Sequence, residues 1–210
     1  MAPDPDVALM AMMRAVAAGD AAVALAMLDA QPGLSRACLT NKGATRQDAK
    51  AHFLDDIGHY VYRGDTALHI AAAGYRTDIV RRLIARGSDV GAKNRLGAEP
   101  LHLAAMGMPG ASHFNPPAQA ATITCLIEAG SNPDARDKQG VAPLHRAVRT
   151  RCAAAVAALL AGGADPRATN KSGSTPTKLA EMTTGRGGSG SAEAKAQQQE
   201  IVRLLRGALA

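Results

Sequence analysis

Apolar positions recur along the chain in pairs of short blocks. Segments 63–74, 96–107, 139–150 and 172–183 (RGDTALHIAAAG, LGAEPLHLAAMG, QGVAPLHRAVRT and SGSTPTKLAEMT) each place a glycine turn first, then Leu-His or its substitute, then alanine. A second apolar block follows each: IVRRLIARG (79–87), TITCLIEAG (122–130), AVAALLAGG (155–163) and IVRLLRGAL (201–209). The pattern predicts two helices per unit, with Gly87, Gly130 and Gly163 in the left-handed position past the second helix. Leu68 and Leu101 lie 33 residues apart, and the steps Gly87 to Leu101, Gly130 to Leu144 and Gly163 to Thr177 are each 14. A fixed period of this size means stacked units that bury their faces against one another. Ala71, Ala72, Ala104, Ala105 and Ala147 thin the first helices so that neighbours approach. Leu68, Leu101 and Leu144 fill the seams, and Leu83-Ile84, Leu126-Ile127 and Leu159-Leu160 supply the second helices.

The pattern departs from this period in three places. Residues 7–30 read as two Ala- and Met-rich helices around Gly19-Asp20, a divergent first unit. Residues 31–60 then exceed an ordinary connection. Gln31-Pro32-Gly33 breaks the helix, and residues 47–60 (QDAKAHFLDDIGHY) suggest a short helix within the insertion. Leu101 to Leu126 is 25 residues, against 15 from Leu68 to Leu83. The excess falls in 106–119, where Pro109, Pro116 and Pro117 argue against regular helix. Thr177 to Leu205 is 28 residues, and this excess falls in 183–199. Inserted loops of this length in a repeat array are functional or disordered.

The motif resembles that of the ankyrin repeat family, Gly-x-Thr-Pro-Leu-His-x-Ala-Ala. It stands here as Gly64-Asp65-Thr66-Ala67-Leu68-His69-Ile70-Ala71-Ala72, as Pro100-Leu101-His102-Leu103-Ala104-Ala105 and as Pro143-Leu144-His145-Arg146-Ala147. The fourth copy departs from it, with Thr177-Lys178 where Leu-His is usual. The resemblance implies an all-α fold: an ankyrin-repeat solenoid of stacked helix-turn-helix units with β-turn fingers, here with three inserted loops. It divides one domain, 1–210, into a capping repeat at 7–30, an insertion at 31–60, and repeats at 61–94, 95–137, 138–170 and 171–210, the last a C-terminal cap. His69, His102 and His145 occupy the motif's structural slot, which points to hydrogen bonding of the turns rather than to metal ligation.

Composition agrees with the repeat. Aromatics are 2% of the chain, and 46 of 210 residues are alanine. This excludes a sheet protein and favours closely packed helices. No apolar run approaches the ~18 residues of a membrane helix, and the start, with Asp4 and Asp6, makes a poor signal peptide. Three scattered cysteines fit a reducing cytoplasm, with neither a disulfide framework nor metal spacing. The chain carries a net charge of +6, which raises the expectation of an acidic partner.

The resemblance also implies partner contact through finger tips and the exposed face of the first helices. That register selects Tyr62, Arg63 and Asp65; Arg95, Leu96 and Met106; Lys138, Gln139, Val141 and Arg149; and Lys171, Ser172 and Ser174. One finger slot is basic in three successive repeats: Arg95, Lys138 and Lys171. Arg63 and Arg149 extend this row, while Asp65 and Asp137 dilute it. Few aromatics interleave, which disfavours nucleic acid. Phe53, Tyr60, Tyr62, Tyr75 and Phe114 fall outside the expected repeat cores, making the loops candidate contacts.

Other constellations are weaker. His52, Asp55, Asp56 and His59 share one face if 47–60 is helical, a low-ranking metal set. Gly185 to Gly190 formally match a dinucleotide fingerprint but lack a βαβ context, and read instead as a flexible Gly/Ser loop; an anion nest aided by Arg186 is a lesser alternative. Cys125 reads as core, and Cys152, beside Arg149 and Arg151, as core or as a reactive thiol. No zincin motif, P-loop or nucleophile elbow is present. The expectation is therefore a monomeric, non-enzymatic protein-binding scaffold without cofactors. The alternatives are an accessory or regulatory subunit of an enzyme, and a metal or small-anion binder working through the inserted loops.

Overall fold

Three successive repeat steps are each closed by an imidazole. Helix α3 (Ala67–Ala73) begins at Thr66, α5 (Pro100–Ala104) at Glu99 and α7 (Pro143–Arg149) at Ala142. In each, the histidine at the third helical position accepts the N-cap backbone N–H at Nδ1: Thr66 to His69 at 3.2 Å, Glu99 to His102 at 3.1 Å and Ala142 to His145 at 3.2 Å. Nδ1 is thus an acceptor, so the proton sits on Nε2. That nitrogen donates across the seam to a carbonyl of the next finger: Ala98 at 3.1 Å, Val141 at 3.0 Å and Ser174 at 3.0 Å. The histidines are structural, as their motif slot implies.

The computed structural model describes residues 5–41, 43–45, 47–182 and 192–210. The Gly185 to Gly190 motif and Arg186 lie outside them. Among the described residues, α1 (Pro5–Ala18), α3, α5, α7 and α9 (Pro176–Glu181) form one layer. Helices α2 (Ala21–Ala30), α4 (Thr77–Ala85), α6 (Pro116–Glu128), α8 (Ala153–Ala161) and α10 (Ala192–Gly207) form the second. Each pair packs internally and on its neighbour: α1 on α3, α3 on α5, α5 on α7, α7 on α9, with α4 on α6, α6 on α8 and α8 on α10. Leu68, Leu101, Leu144, Ala71, Ala104 and Ala147 are buried in one continuous core. The all-α ankyrin solenoid is therefore the observed fold.

The fingers stack by a second ladder. Asn94, Asp137 and Asn170 each open a tight turn, accepting two backbone N–H groups on the side-chain oxygen. The next residue donates its own N–H to the preceding finger: Arg95 to Arg63 O at 2.7 Å, Lys138 to Leu96 O at 3.0 Å and Lys171 to Gln139 O at 3.1 Å. The approach is close enough that a Cβ on Gly97 would stand 3.0 Å from the Lys138 nitrogen, and one on Gly140 the same distance from that of Lys171. Both glycines are left-handed, at φ 74° and 70°, so a side chain there is opposed by conformation as well as by space.

Several local expectations need correction. Residues 47–60 are not a helix. They form 3-10 turns at Lys50–His52 and Asp55–Ile57 around a hairpin of β1 (Phe53–Leu54) and β2 (His59–Tyr60), in the register Leu54 opposite His59. Gly58 at φ 56° makes the reversal. Leu39, Leu54, Ile57 and Val61 are buried in the same continuous core as the repeat helices, so the insertion is packed onto the array. Pro116 and Pro117 do not break structure; they start α6, with Asn115 capping the Ala118 N–H at 3.1 Å. Proline suits a first turn, where no N–H partner is needed. Residues 192–199 belong to α10 rather than to a loop.

The seam generates two predictions. Leu101 is fully buried, so Leu101→Ala lowers unfolding free energy in urea by about 2–5 kcal/mol, and a loss below about 1 would remove it from the seam. Burial lowers the pKa of His69, His102 and His145, that of His102 to about 4. The unfolded chain protonates near 6.5, so stability is full above about 6.5 and declines as pH falls, the His102 share being lost progressively until pH reaches its folded value of about 4. Thermal melting between these limits reads the slope. A melting temperature independent of pH there contradicts buried neutral imidazoles, and His102→Gln flattens the slope.

Candidate functional site

The first insertion decides which part of the first-helix face stays open. Arg14 of α1 donates to Ala51 O at 3.1 Å, and Asp6 accepts Thr40 and Asn41 N–H groups at 3.0 and 2.9 Å. The Asp55–Ile57 turn packs on α1, and Ile57 sits where a Cβ on Gly74, at the end of α3, would meet it at 2.9 Å. The insertion therefore lies over α1 and α3. Met108 and His113 of the second insertion approach Gly58, so the two loops meet.

Beyond the hairpin a groove of about 670 Å³ remains. Its wall is Gly58 to Tyr60 with Tyr62. Finger residues Leu96, Asp137, Gln139 and Val141 line a second side, and Leu103, Met106, Arg146 and Arg149 come from α5, its end and α7. The charges in it are unequal in their commitments. Asp137 pairs with Arg146 at 3.0 Å, both side chains largely buried. Burial opposes the Asp137 charge, but the Arg146 guanidinium and the Val141 and Gln139 N–H groups outweigh it and hold the carboxyl below its ordinary pKa. Arg149 is exposed and has no ion pair or hydrogen bond with the described residues. Arg95 lies over the Tyr62 ring, 4.4 Å from its centroid, a cation–π contact that holds its charge at the groove's edge.

His59 is the unusual member. It is buried on the wall, and its Nε2 has no hydrogen-bond partner. Burial lowers its pKa, Asp65 opposes that, and His69 and Arg146 reinforce it.

The sequence-predicted site residues divide between this groove, the finger tips and the interior. Tyr62, Met106 and Arg149 line the groove. Arg63, Arg95, Lys138 and Lys171 are exposed on successive fingers. Phe114 packs partly buried against the core beside Thr150 and Gly107, two residues of the groove lining, without lining the groove itself. Asp65 does not belong to the surface: it is fully buried, accepting from the Tyr62 N–H at 2.7 Å and the Asn94 amide at 2.9 Å. Tyr75 is no loop anchor either. It is 5% exposed, and its hydroxyl donates to Met106 O at 2.7 Å. Cys125 is core, and Cys152 is 2% exposed, with burial raising its thiol pKa, which removes the reactive reading.

The metal set also fails to assemble. With 47–60 a hairpin, His52, Asp55, Asp56 and His59 no longer share a face: the two aspartates are exposed, His59 is buried, and His52 Nδ1 lies 3.2 Å from Asp48 O. Among the described residues no cluster of His, Cys, Asp and Glu is placed to hold a metal ion, and no helix is long and apolar enough to cross a membrane. Two features escaped the sequence reading. The Asx that precedes each basic finger residue was visible as Asn94-Arg95, Asp137-Lys138 and Asn170-Lys171. The hairpin wall left no comparable signal.

Comparison with known proteins agrees with this architecture. Family models described as ankyrin repeats, one of three copies and one of many copies, match residues 12–114 and 126–180. A tyrosine-protein kinase, Shark of Drosophila melanogaster, is 34% identical over 87 residues, covering 41% of this chain and 8% of the kinase. The chain thus spans a small fraction of that relative's length. Ankyrin repeats are generally protein-interaction modules and typically non-enzymatic. From the repeat period, the histidine-closed seams and these matches together, the chain belongs to the ankyrin repeat family.

Proposed function

We propose that this protein is a non-catalytic scaffold that binds an acidic protein segment along its fingers and in the open groove. One observation carries the reading. Arg95, Lys138 and Lys171 follow one another on successive fingers, each fixed by a backbone bond to the finger before it and each exposed. A row of like charges at regular spacing attracts an extended opposite charge and speeds encounter. Arg63 and Arg149 extend the positive surface, and Tyr62 and Met106 supply apolar contact. The two acids nearest the row are internally committed, Asp65 by burial and Asp137 by Arg146. Phe114 backs the groove through its neighbours Gly107 and Thr150. On this reading the protein acts as a monomer in the cytoplasm, and the row recognises charge pattern while the groove supplies specificity.

The test is charge reversal at Arg95, Lys138 and Lys171 together, followed by capture from a lysate of the source cells and mass spectrometry of what is retained. These side chains are exposed, so the variant keeps its helical circular dichroism and its melting temperature. The reading expects loss of the proteins captured by the unaltered chain, with association slowed about tenfold or more. Unchanged capture by a folded triple variant contradicts it.

A further inference from the structure

We propose that the groove beside the β1–β2 hairpin is an anchor subsite for one large apolar side chain flanked by side-chain carboxylates in an extended peptide segment. The inference rests on the scaffold reading above and names what the groove selects.

Three independent features point to that chemistry. The first is apolar surface at the rim. Tyr60 is 41% exposed and Leu96 46%, two of the few large hydrophobic side chains that the described surface leaves open, and both line this groove. Behind them Leu103, Met106, Met108 and Val141 continue the apolar lining. Exposed apolar side chains gathered at one concavity mark a contact site, whereas scattered ones do not. The second is uncompensated positive charge. Asp137, the acid of the groove, is paired with Arg146, while Arg149 lacks a partner among the described residues and Arg95 stands at the edge over Tyr62. The third is the orphaned His59 Nε2, buried on the same wall. Buried polar atoms are almost always satisfied, and an unsatisfied one in a concavity calls for a ligand group. A carboxylate meets the cationic side of the groove and gives that nitrogen an acceptor if it is protonated.

This composition selects an occupant. An apolar side chain alone would leave Arg149 and His59 unmatched. A carboxylate alone would leave the Leu96, Met106 and Val141 surface wet. A basic segment would meet Arg149 and Arg146 at close range. The subsite exists because of this chain's own insertion: without the hairpin, the wall formed by His59 and Tyr60 is absent.

His59 makes the subsite sensitive to pH. Asp65 and Tyr62 lie on its finger side, His69 on α3 and Arg146 on α7. In the free protein burial and the neighbouring His69 and Arg146 disfavour its charged form, with Asp65 opposing them. A bound carboxylate favours the charged form, so binding raises the His59 pKa. By linkage the acidic ligand then binds more tightly as pH falls toward the raised His59 value.

The experiment titrates the full 15N-labelled chain with three peptides blocked at both ends. The probe is acetyl-Gly-Glu-Glu-Leu-Glu-Glu-Gly-amide; one control replaces every Glu by Gln, and the other replaces Leu by Gly. A fourth peptide, acetyl-Gly-Gly-Gly-Leu, carries a free terminal carboxylate. The probe shifts the amide signals of His59, Leu96, Met106, Val141 and Arg149. Loss of the buried leucine, or of the carboxylates, weakens binding about tenfold. Arg149→Gln, at an exposed position that leaves folding intact, weakens the probe about fivefold and leaves the Gln control unaffected. His59→Gln abolishes that gain in affinity as pH falls, and folding of that variant is checked by the unchanged signals of Leu144 and Leu159.

Equal binding of the acidic and Gln peptides, or no binding at millimolar concentration, overturns the inference. So does preference for the free-carboxylate peptide, which would make the groove a chain-terminus site. If the probe shifts only Arg95, Lys138 and Lys171, indifferent to its leucine, the anchor fails while the scaffold reading stands. If the charge-reversed triple variant captures partners normally, the basic-row reading fails, whatever the groove binds.

Discussion

An imidazole with one proton holds this array together. Nδ1 of His69, His102 and His145 takes the first free N–H of its own helix, and Nε2 gives its proton to the next finger. Only a neutral ring can accept at one nitrogen and donate at the other. That requirement explains why the ring is buried, since burial disfavours the charged form, and why alanine follows it: Ala71, Ala104 and Ala147 let the adjoining helix approach within reach of the bond. Registry fixed by the histidines then sets the finger spacing, and the Arg95, Lys138 and Lys171 N–H bonds follow from that spacing. The row of positive charge is a consequence of the seam.

The same seam shows why the repeats were legible in the sequence and the surroundings were not. Leu-His-x-Ala recurs because each residue type meets one local demand, so Leu101 and Leu144 could be placed in the core from spacing alone. Non-repeated contacts carry no such signal. Asp65 looked like a finger-tip charge because the motif register puts it there, yet its carboxylate turns inward to Tyr62 N–H and the Asn94 amide. Tyr75 looked like a loop residue because it follows a glycine; the left-handed backbone there, at φ 55°, directs its ring inward beneath Met106. Pro116 and Pro117 were read as breakers, although Asn115 ahead of them is a capping residue and turns the same pair into a helix start. Residues 47–60 carried both a helical apolar spacing and Gly58. The glycine decided the outcome, because Leu54 and Ile57 both reach the common core with the chain reversed at Gly58.

The insertion also changes the functional surface. A plain solenoid would present the exposed faces of α1, α3, α5 and α7 as one continuous strip. Here the segment around 50–60 lies over α1 and α3, and the open strip starts at α5. On the proposed reading, recognition is concentrated where the hairpin, the fingers and α7 converge, where Arg149 and the His59 Nε2 have no hydrogen-bond partner among the described residues and Asp137 is paired with Arg146. On the proposed reading, charge attraction along the fingers and selectivity in the groove are separate in origin: the first comes from the repeat, the second from an insertion that departs from it.

The central claim is that stacking presents the basic row as a preformed, rigid surface. Amide hydrogen exchange of the free protein tests it most directly. The Arg95, Lys138 and Lys171 N–H groups, though at the finger tips, should exchange with protection comparable to the buried helical amides of Leu103 and Leu159, opening only with the array itself. Exchange of those three amides at the rate of an unstructured peptide, with the helices still protected, would show that the fingers are not held in register and would contradict the account.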